Sequence, residues 1–396
     1  MKFQPTLMQE RVHTIDVLRG VSLLGILLVN MYGFYLPQPH IDLAYWFTEA
    51  KDIIWQQTLD IYVQSSFYPL FSILFGYGLA MQYMKSQKTG INFYKFAPKR
   101  LLIILTIGLI HAFLIWWGDI LVMYAFCGFF LIVFMRLKSP WLITIALVLN
   151  AMMHAFILFI YQLAGVLNME VEQISVNIVM IQNAITAYGT GTWMDALTQR
   201  IADLSIQMRI DMWIISLFTI LPYMLVGVAA AKWRLIERAK ELKIMWLIFA
   251  VVGIGLGLFI KSAPYMYNRT YLLDYLKVFI GGPILAVGYM AAIIVICLLP
   301  FAIKLLSPLA KLGRMSMTMY IMQSVVATFI FYSFGFGLYG KMTVQMGVYM
   351  ALGIFIVQLI LAELWLSKFS QGPIEAAMKK LTYPVLTGCK TTISKQ

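Results

Sequence analysis

The sequence predicts an all-α, polytopic transmembrane bundle of about ten spans with both termini in the cytoplasm. Three observations carry this. Of the 396 residues 61% are apolar and only 12% charged, where an ordinary soluble protein carries about 25% charged residues. The apolar residues run in continuous stretches of about 20, the length of a membrane-crossing helix, whereas a β-barrel needs shorter, alternating segments. The basic residues lie between the stretches, twenty-two on one side against seven on the other, with Arg19 inside a span. That bias puts the richer side in the cytoplasm and favours an even number of spans. It also accounts for the net charge of +13 without nucleic acid.

The spans are residues 15–36, 61–84, 101–117, 120–135, 141–164, 212–231, 244–260, 276–299, 315–334 and 344–366. The first carries Asp16, Arg19 and Asn30. Arg19 and Asn30 are eleven residues apart and differ by only about 20° around a helix, with Asp16 about 60° away. This polar stripe should face the protein interior or a wet cavity, since exposing it to lipid is expensive. Alternatively, Asp16 and Arg19 form an inner-end pair that snorkels to the headgroups. The second span runs through Phe67-Tyr-Pro69 to Gly76 and Gly78, a kink followed by close helix approach. The third and fourth are short and joined by Gly118-Asp119, which suggests a tight hairpin. The fifth holds His154 among apolar residues. The sixth has Pro222 and Gly227. In the ninth, Ser316, Tyr320 and Gln323 share one face, either to position a substrate or to join helices.

Between spans, residues 37–60 and 165–211 form large segments on the outer side, helical and amphipathic in places, as at Ile174, Ile178, Ile181 and Ile185. They hold most of the outer carboxylates, including Glu170 and Glu172. The basic tail 367–396 suggests a helix on the inner leaflet. No linker separates a second domain, so residues 1–396 read as one membrane unit. Cys127, Cys297 and Cys389 are dispersed and give neither a disulfide framework nor a metal site. Four scattered histidines argue against a zinc or haem core. No phosphate-binding glycine loop or Gly-x-Ser-x-Gly elbow occurs.

His111 is the leading candidate for chemistry. It lies in the outer half of the third span, one to two turns below Asp119. A carboxylate there could orient the imidazole and stabilise its protonated form, making His111 a general base. A core histidine bonded to a backbone carbonyl is the simpler alternative. His40, in the outer segment, is free to reach a cavity mouth. His13 sits at the inner interface beside Arg11.

The Asp16-x-x-Arg19-Gly20 opening, the Phe71-Ser-Ile-Leu-Phe75-Gly76 run, the His111 to Asp119 hairpin and the C-terminal Gly313–Ser324 and Gly372-Pro-Ile-Glu375 pieces together resemble the YeiB-like family, domain of unknown function 418. That family is grouped with transmembrane acyltransferases. The acyltransferase-three type has a His eleven residues after an Arg; here Arg19 matches and Asn30 stands at the second position. The heparan-alpha-glucosaminide N-acetyltransferase type is similar in its Arg-Gly, Asn and Pro-x-Phe pattern, but its catalytic His falls at Trp55. A base would therefore have to come from His111 or His40. The resemblance implies an acyltransferase of a bacterial-type inner membrane. It would use acyl-CoA as co-substrate, with no tightly bound cofactor, and a cell-envelope glycan or lipid as acceptor. Arg19 and loop lysines would meet the donor phosphates, and Asn30 and Gln323 would bond the developing oxyanion. A secondary transporter with five plus five inverted repeats is the rival, drawing on interrupted first and sixth spans and on Asp16 and Arg19 as coupling groups.

Overall fold

The computed structural model describes residues 12–166 and 178–382; Lys2, Arg11, Glu170, Glu172, Ile174, Cys389, Lys390 and Lys395 lie outside them. Among the described residues the chain is helical and forms no strand. The elements are α1 (His13–Tyr35), a 3-10 turn (Gln38–His40), α2 (Leu43–Trp46), α3 (Ala50–Tyr62), α4 (Phe67–Thr89), α5 (Phe93–Leu114), α6 (Leu121–Phe134) and α7 (Ser139–Val166). They continue with α8 (Ile178–Gly189), α9 (Trp193–Gln207), α10 (Ile210–Thr219), α11 (Leu221–Lys232), α12 (Lys243–Met266) and α13 (Tyr271–Leu276). Last come α14 (Gly282–Cys297), α15 (Pro300–Leu305), α16 (Ser307–Arg314), α17 (Ser316–Phe331), α18 (Val344–Lys368) and α19 (Pro373–Thr382). Among the described residues seven segments are long and apolar enough to cross a membrane, and α6 and α17 are shorter apolar helices. The protein is a polytopic helical membrane bundle.

Burial sorts the helices into layers. Two thirds of the apolar window of α1 is buried (67%), against 6% for α7. The first helix is therefore the central post, and α7 turns its apolar surface outward, as a lipid-facing helix must. Connecting segments meet one another in two groups, one of them Lys-rich. At the Lys-rich end Lys232 donates to the carbonyls of Met135 (2.7 Å) and Leu137 (2.5 Å), and Arg136 lies over the Tyr94 ring. At the opposite end Asp52 of α3 caps α18 by accepting from the Val344 amide at 2.9 Å, and the Gly340 amide donates to the Tyr35 carbonyl.

Several elements depart from the sequence expectation. The second span starts later: residues 63–66 make a turn, with Ser65 in the left-handed region (φ 61°). The third span is not short, because α5 begins at Phe93 and passes through Pro98 in its second turn. The sixth breaks between α10 and α11 at Ile220, ahead of Pro222. The eighth is interrupted between α13 and α14 by a π-helical stretch, Lys277–Gly281. The C-terminal helix does not lie alone on the leaflet. Glu375 caps α17, accepting from the Met317 amide (2.7 Å) and the Thr318 hydroxyl (2.6 Å), and Met378 and Thr382 are buried. The Gly372-Pro-Ile-Glu375 piece is thus a helix cap, satisfying amides that the bilayer edge would leave open.

Two backbone approaches set the geometry. A Cβ on Gly227 of α11 would come 2.0 Å from the Ile73 carbonyl of α4, and one on Gly313 of α16 would come 1.9 Å from the Asp16 carbonyl of α1. Neither clash can be relieved by a rotamer change, because the opposing atom is backbone. Gly227→Leu should cost about 3 kcal/mol, the upper end for overpacking, and lower the midpoint of thermal unfolding in detergent. Gly255→Ala, where nothing lies within 4 Å, should leave it unchanged or raise it. Equal midpoints for the two variants would refute this packing.

Candidate active site

The polar stripe of α1 turns inward along its length. Asp16 is 6% exposed, and Arg19 donates to it at 3.4 Å. The guanidinium lies against Gly78 of α4 with its side chain 31% exposed. Asn30 is half-buried, near the far end of the helix, roughly 16 Å further along the axis. The three residues are therefore on one interior stripe but do not share a site.

At the far end the α5–α6 connection builds the tightest constellation. Helix α5 ends at Leu114, and Trp116-Trp117-Gly118-Asp119 turns the chain into α6. This places Asp119, wholly buried, beneath His111, which is 1% exposed. The His111 Nδ1–H donates to Asp119 Oδ2 at 2.7 Å. Asp119 Oδ1 accepts from the Val122 amide at 2.8 Å, capping α6. The Asp119 carbonyl accepts from the Gln207 side-chain amide at 2.8 Å, so α9 is joined to the turn. In the neutral tautomer that donates Nδ1–H to the carboxylate, Nε2 carries the lone pair. That nitrogen is buried and has no hydrogen-bond partner among the described residues. The Tyr320 ring lies 5.3 Å from the imidazole, and its hydroxyl accepts from the Ile120 amide at 3.3 Å.

Beside Asp119 is an open-mouthed chamber of about 430 Å³, bounded by Asn30, Gln38, Trp116, Trp117, Asp119 and Gln207, together with Pro39, Gly118, Ile120, Met123 and Ile220; the His111 imidazole lies behind Asp119 and is not part of this lining. A smaller cavity of about 60 Å³, lined by Asn30, Ser65, Phe67, Tyr68 and Ile120 among others, adjoins it through Asn30 and Ile120. The wall at Ser65 is braced from behind. Lys261, wholly buried, donates to the Gln64 carbonyl and to Ser66 Oγ at 3.1 Å. Lys277 bonds Asp60 at 2.5 Å and lies 3.0 Å from Asp274. Sequence reading did not single out either lysine; their positions near the ends of apolar spans were the available signal.

His40 forms a second buried pair. Its Nε2 meets Asp203 Oδ1 at 2.8 Å, while Asp203 also accepts from the Tyr188 hydroxyl (2.7 Å) and the Gln199 amide (2.8 Å). Both carboxylate oxygens are occupied, so the pair fastens α9 to the turn after α1. Arg200, wholly buried, donates to the Phe113 carbonyl at 3.1 Å. Gln199, Asp203 and Gln207 recur every four residues, a polar stripe by which α9 straps the end of α5. That periodicity was present in the sequence but hidden by the alternative of a surface helix.

Gln323 does not reach the chamber lining. Its amide donates to the Leu23 carbonyl (3.3 Å) and to Gln358 Oε1 (2.9 Å), and Gln358 donates to the Met319 carbonyl (2.9 Å). It joins α1, α17 and α18, the helix-joining alternative. In His154 both ring nitrogens are engaged, by Tyr275 (2.5 Å) and Asn150 (2.8 Å). The structure thus gathers His111, Asp119, Tyr320 and Asn30 at one end, with His40 behind the strap, and leaves Asp16, Arg19 and Gln323 elsewhere.

Comparison with known proteins covers nearly the whole chain. The sequence is 33% identical to the uncharacterized protein YxaH of Bacillus subtilis (strain 168), over 96% of each chain. It is 27% identical to an uncharacterized 39.9 kDa protein in the amylase 3'region of Bacillus acidopullulyticus, over 96% of each. With the uncharacterized protein YeiB of Escherichia coli (strain K12) it shares 23% identity, over 94% of this chain and 96% of that one. No solved structure matches. The model of the family described as protein of unknown function, DUF418, matches residues 230–385. By that match and the end-to-end likeness to its relatives, the chain belongs to the DUF418 family of YeiB-like membrane proteins.

Proposed function

We propose that the protein is a membrane acyltransferase that acylates a hydroxyl or amine on a cell-envelope glycan or lipid entering the chamber beside Asp119. The observation that carries this reading is the buried, unpartnered Nε2 of His111, with Nδ1 held by a wholly buried carboxylate. Leaving a buried polar atom open costs about 1–3 kcal/mol, and here the open atom is a base oriented as in a hydrolase triad. In the transfer step Nε2 takes the acceptor proton and the acceptor atom bonds to the acyl carbon. The thioester C–S bond of an acyl-CoA donor breaks, and the thiolate leaves and collects the proton from Nε2. Asp119 stabilises the imidazolium formed meanwhile. Asn30, in the chamber wall, bonds the oxyanion; the knot that holds Gln323 removes it from that role. Arg19 is the cation suited to the donor's phosphates. A donor held there reaches Asn30 only through an extended arm, because roughly 16 Å of helix axis intervenes.

The charge bias supports a bacterial-type inner-membrane location with the chamber end outside and the Lys-rich end in the cytoplasm. In a background with all three cysteines replaced by Ser, Lys341→Cys should react with an impermeant maleimide in intact cells. Lys88→Cys should react only after permeabilisation. The reverse pattern would invert the topology.

Purified protein in vesicles, given labelled acyl-CoA and an envelope lipid extract, should transfer label to the extract. His111→Ala should lower that transfer by roughly 100- to 10,000-fold. Asp119→Asn, which can still cap α6 but disfavours the productive tautomer, should fall comparably. Both should elute as single species from size-exclusion chromatography. Full transfer by folded His111→Ala protein would remove His111 from the chemistry. Solute uptake driven by an ion gradient, without donor consumption, would favour the transporter.

A further inference from the structure

The chamber wall carries two polar atoms that no residue satisfies. Trp117 Nε1, a donor, and Gln207 Oε1, an acceptor, are each buried and without a hydrogen-bond partner among the described residues. Both residues line the chamber. Gln207 is fixed by its other end, since its Nε2 donates to the Asp119 carbonyl at 2.8 Å. Trp117 is likewise held, its ring centroid 5.5 Å from that of Trp116, whose own Nε1 donates to the Gly33 carbonyl at 3.1 Å. Each open atom therefore belongs to a side chain held in place at the chamber wall.

From these features we infer that the chamber takes a neutral, hydroxyl-bearing ring of monosaccharide size, read by Trp117 and Gln207. The inference deepens the acyl-transfer reading by naming the acceptor's chemical class, but its binding test does not depend on that reading. A hydroxyl both donates and accepts, so it can satisfy an indole N–H and an amide oxygen together, whereas a phosphate or carboxylate can only accept. No lysine or arginine lines the chamber, so an anionic group would enter without a countercharge. The one carboxylate there, Asp119, is wholly buried and each of its oxygens already accepts a hydrogen bond, so an ammonium would meet no exposed carboxylate either. The paired indoles offer apolar faces to the C–H face of a saturated ring, and Asn30 and Gln38 add planar amides. About 430 Å³ lies within the roughly 300–1,000 Å³ typical of small-molecule pockets.

The test uses the full chain in lipid nanodiscs, free of sugar-based detergent, with saturation-transfer NMR on methyl β-glucoside and, separately, on glycerol 3-phosphate. Saturation should pass to the ring protons of the glucoside and not to glycerol 3-phosphate. Trp117→Phe, which keeps the ring but loses the donor, and Gln207→Leu should each weaken glucoside binding by roughly tenfold, the worth of one buried hydrogen bond. Trp193→Phe, on an exposed residue away from the chamber, should not. If Gln207→Leu fails to elute as a single species, Gln207→Met replaces it. Absence of transfer to the glucoside, equal or stronger transfer to glycerol 3-phosphate, or indifference to both substitutions would overturn the inference. Glucoside binding that persists while His111→Ala retains full acyl transfer would sink the catalytic reading alone. Acyl transfer to an anionic acceptor, with no glucoside binding, would sink this inference alone.

Discussion

Asp119 holds three helices together with three different acceptor positions. One carboxylate oxygen caps α6, the other orients His111 on α5, and the backbone carbonyl receives Gln207 from α9. Asp119 is wholly buried, so a partner lost there is costly to replace and each bond is worth more than its count suggests. The turn that carries Asp119 is consequently rigid, and so is everything it presents: the imidazole, the two indoles and the Gln207 amide. The His40–Asp203 pair and the Arg200 bond to the Phe113 carbonyl reinforce the same junction from the other side of α9. The chamber is therefore shaped by fixed elements, a condition that preorganised binding and catalysis share.

Much of this was legible in the sequence because the membrane simplifies the physics. Apolar length marked most of the long helices, and the pairing of His111 with Asp119 followed from their spacing across a Gly-Asp turn. Where reading failed, the cause was a non-local partner. The helical face of Gln323 could not separate substrate contact from helix joining, because its partner Gln358 is thirty-five residues away. His40 looked free in a loop, yet Asp203 on α9 holds it at 2.8 Å. Lys261 and Lys277 passed as ordinary outer charges; only the fold shows them buried behind the turn at Ser65. The helix starting at Phe93 was missed because charge and Pro98 interrupt its apolar pattern, although both fall near its beginning.

The central helix separates two kinds of polar group. Near one end Asp16 and Arg19 form a long, partly exposed pair beside the backbone crossing at Gly313. Near the other Asn30 meets the chamber. A scheme in which Arg19 touches the reacting atoms is at odds with that spacing, whereas one in which it anchors a long donor by its far end is not. The distinction narrows what the acyl-transfer reading demands: a donor with an extended arm and charged terminus, entering from the Lys-rich face.

The distribution of unsatisfied groups points the same way. Gln323 and Gln358 complete each other's bonds, and Ser72, Ser22 and Thr328 all return their hydroxyls to nearby carbonyls. Yet His111 Nε2, Trp117 Nε1 and Gln207 Oε1 remain open together, on residues linked through one turn and one strap. Open atoms also occur elsewhere, at Gln82, Arg200 and Tyr332, so an open atom alone marks no site. Trp117 and Gln207 are set apart because they line one chamber together with Asp119, the partner of His111, and that grouping is the physical ground for the proposal of chemistry here.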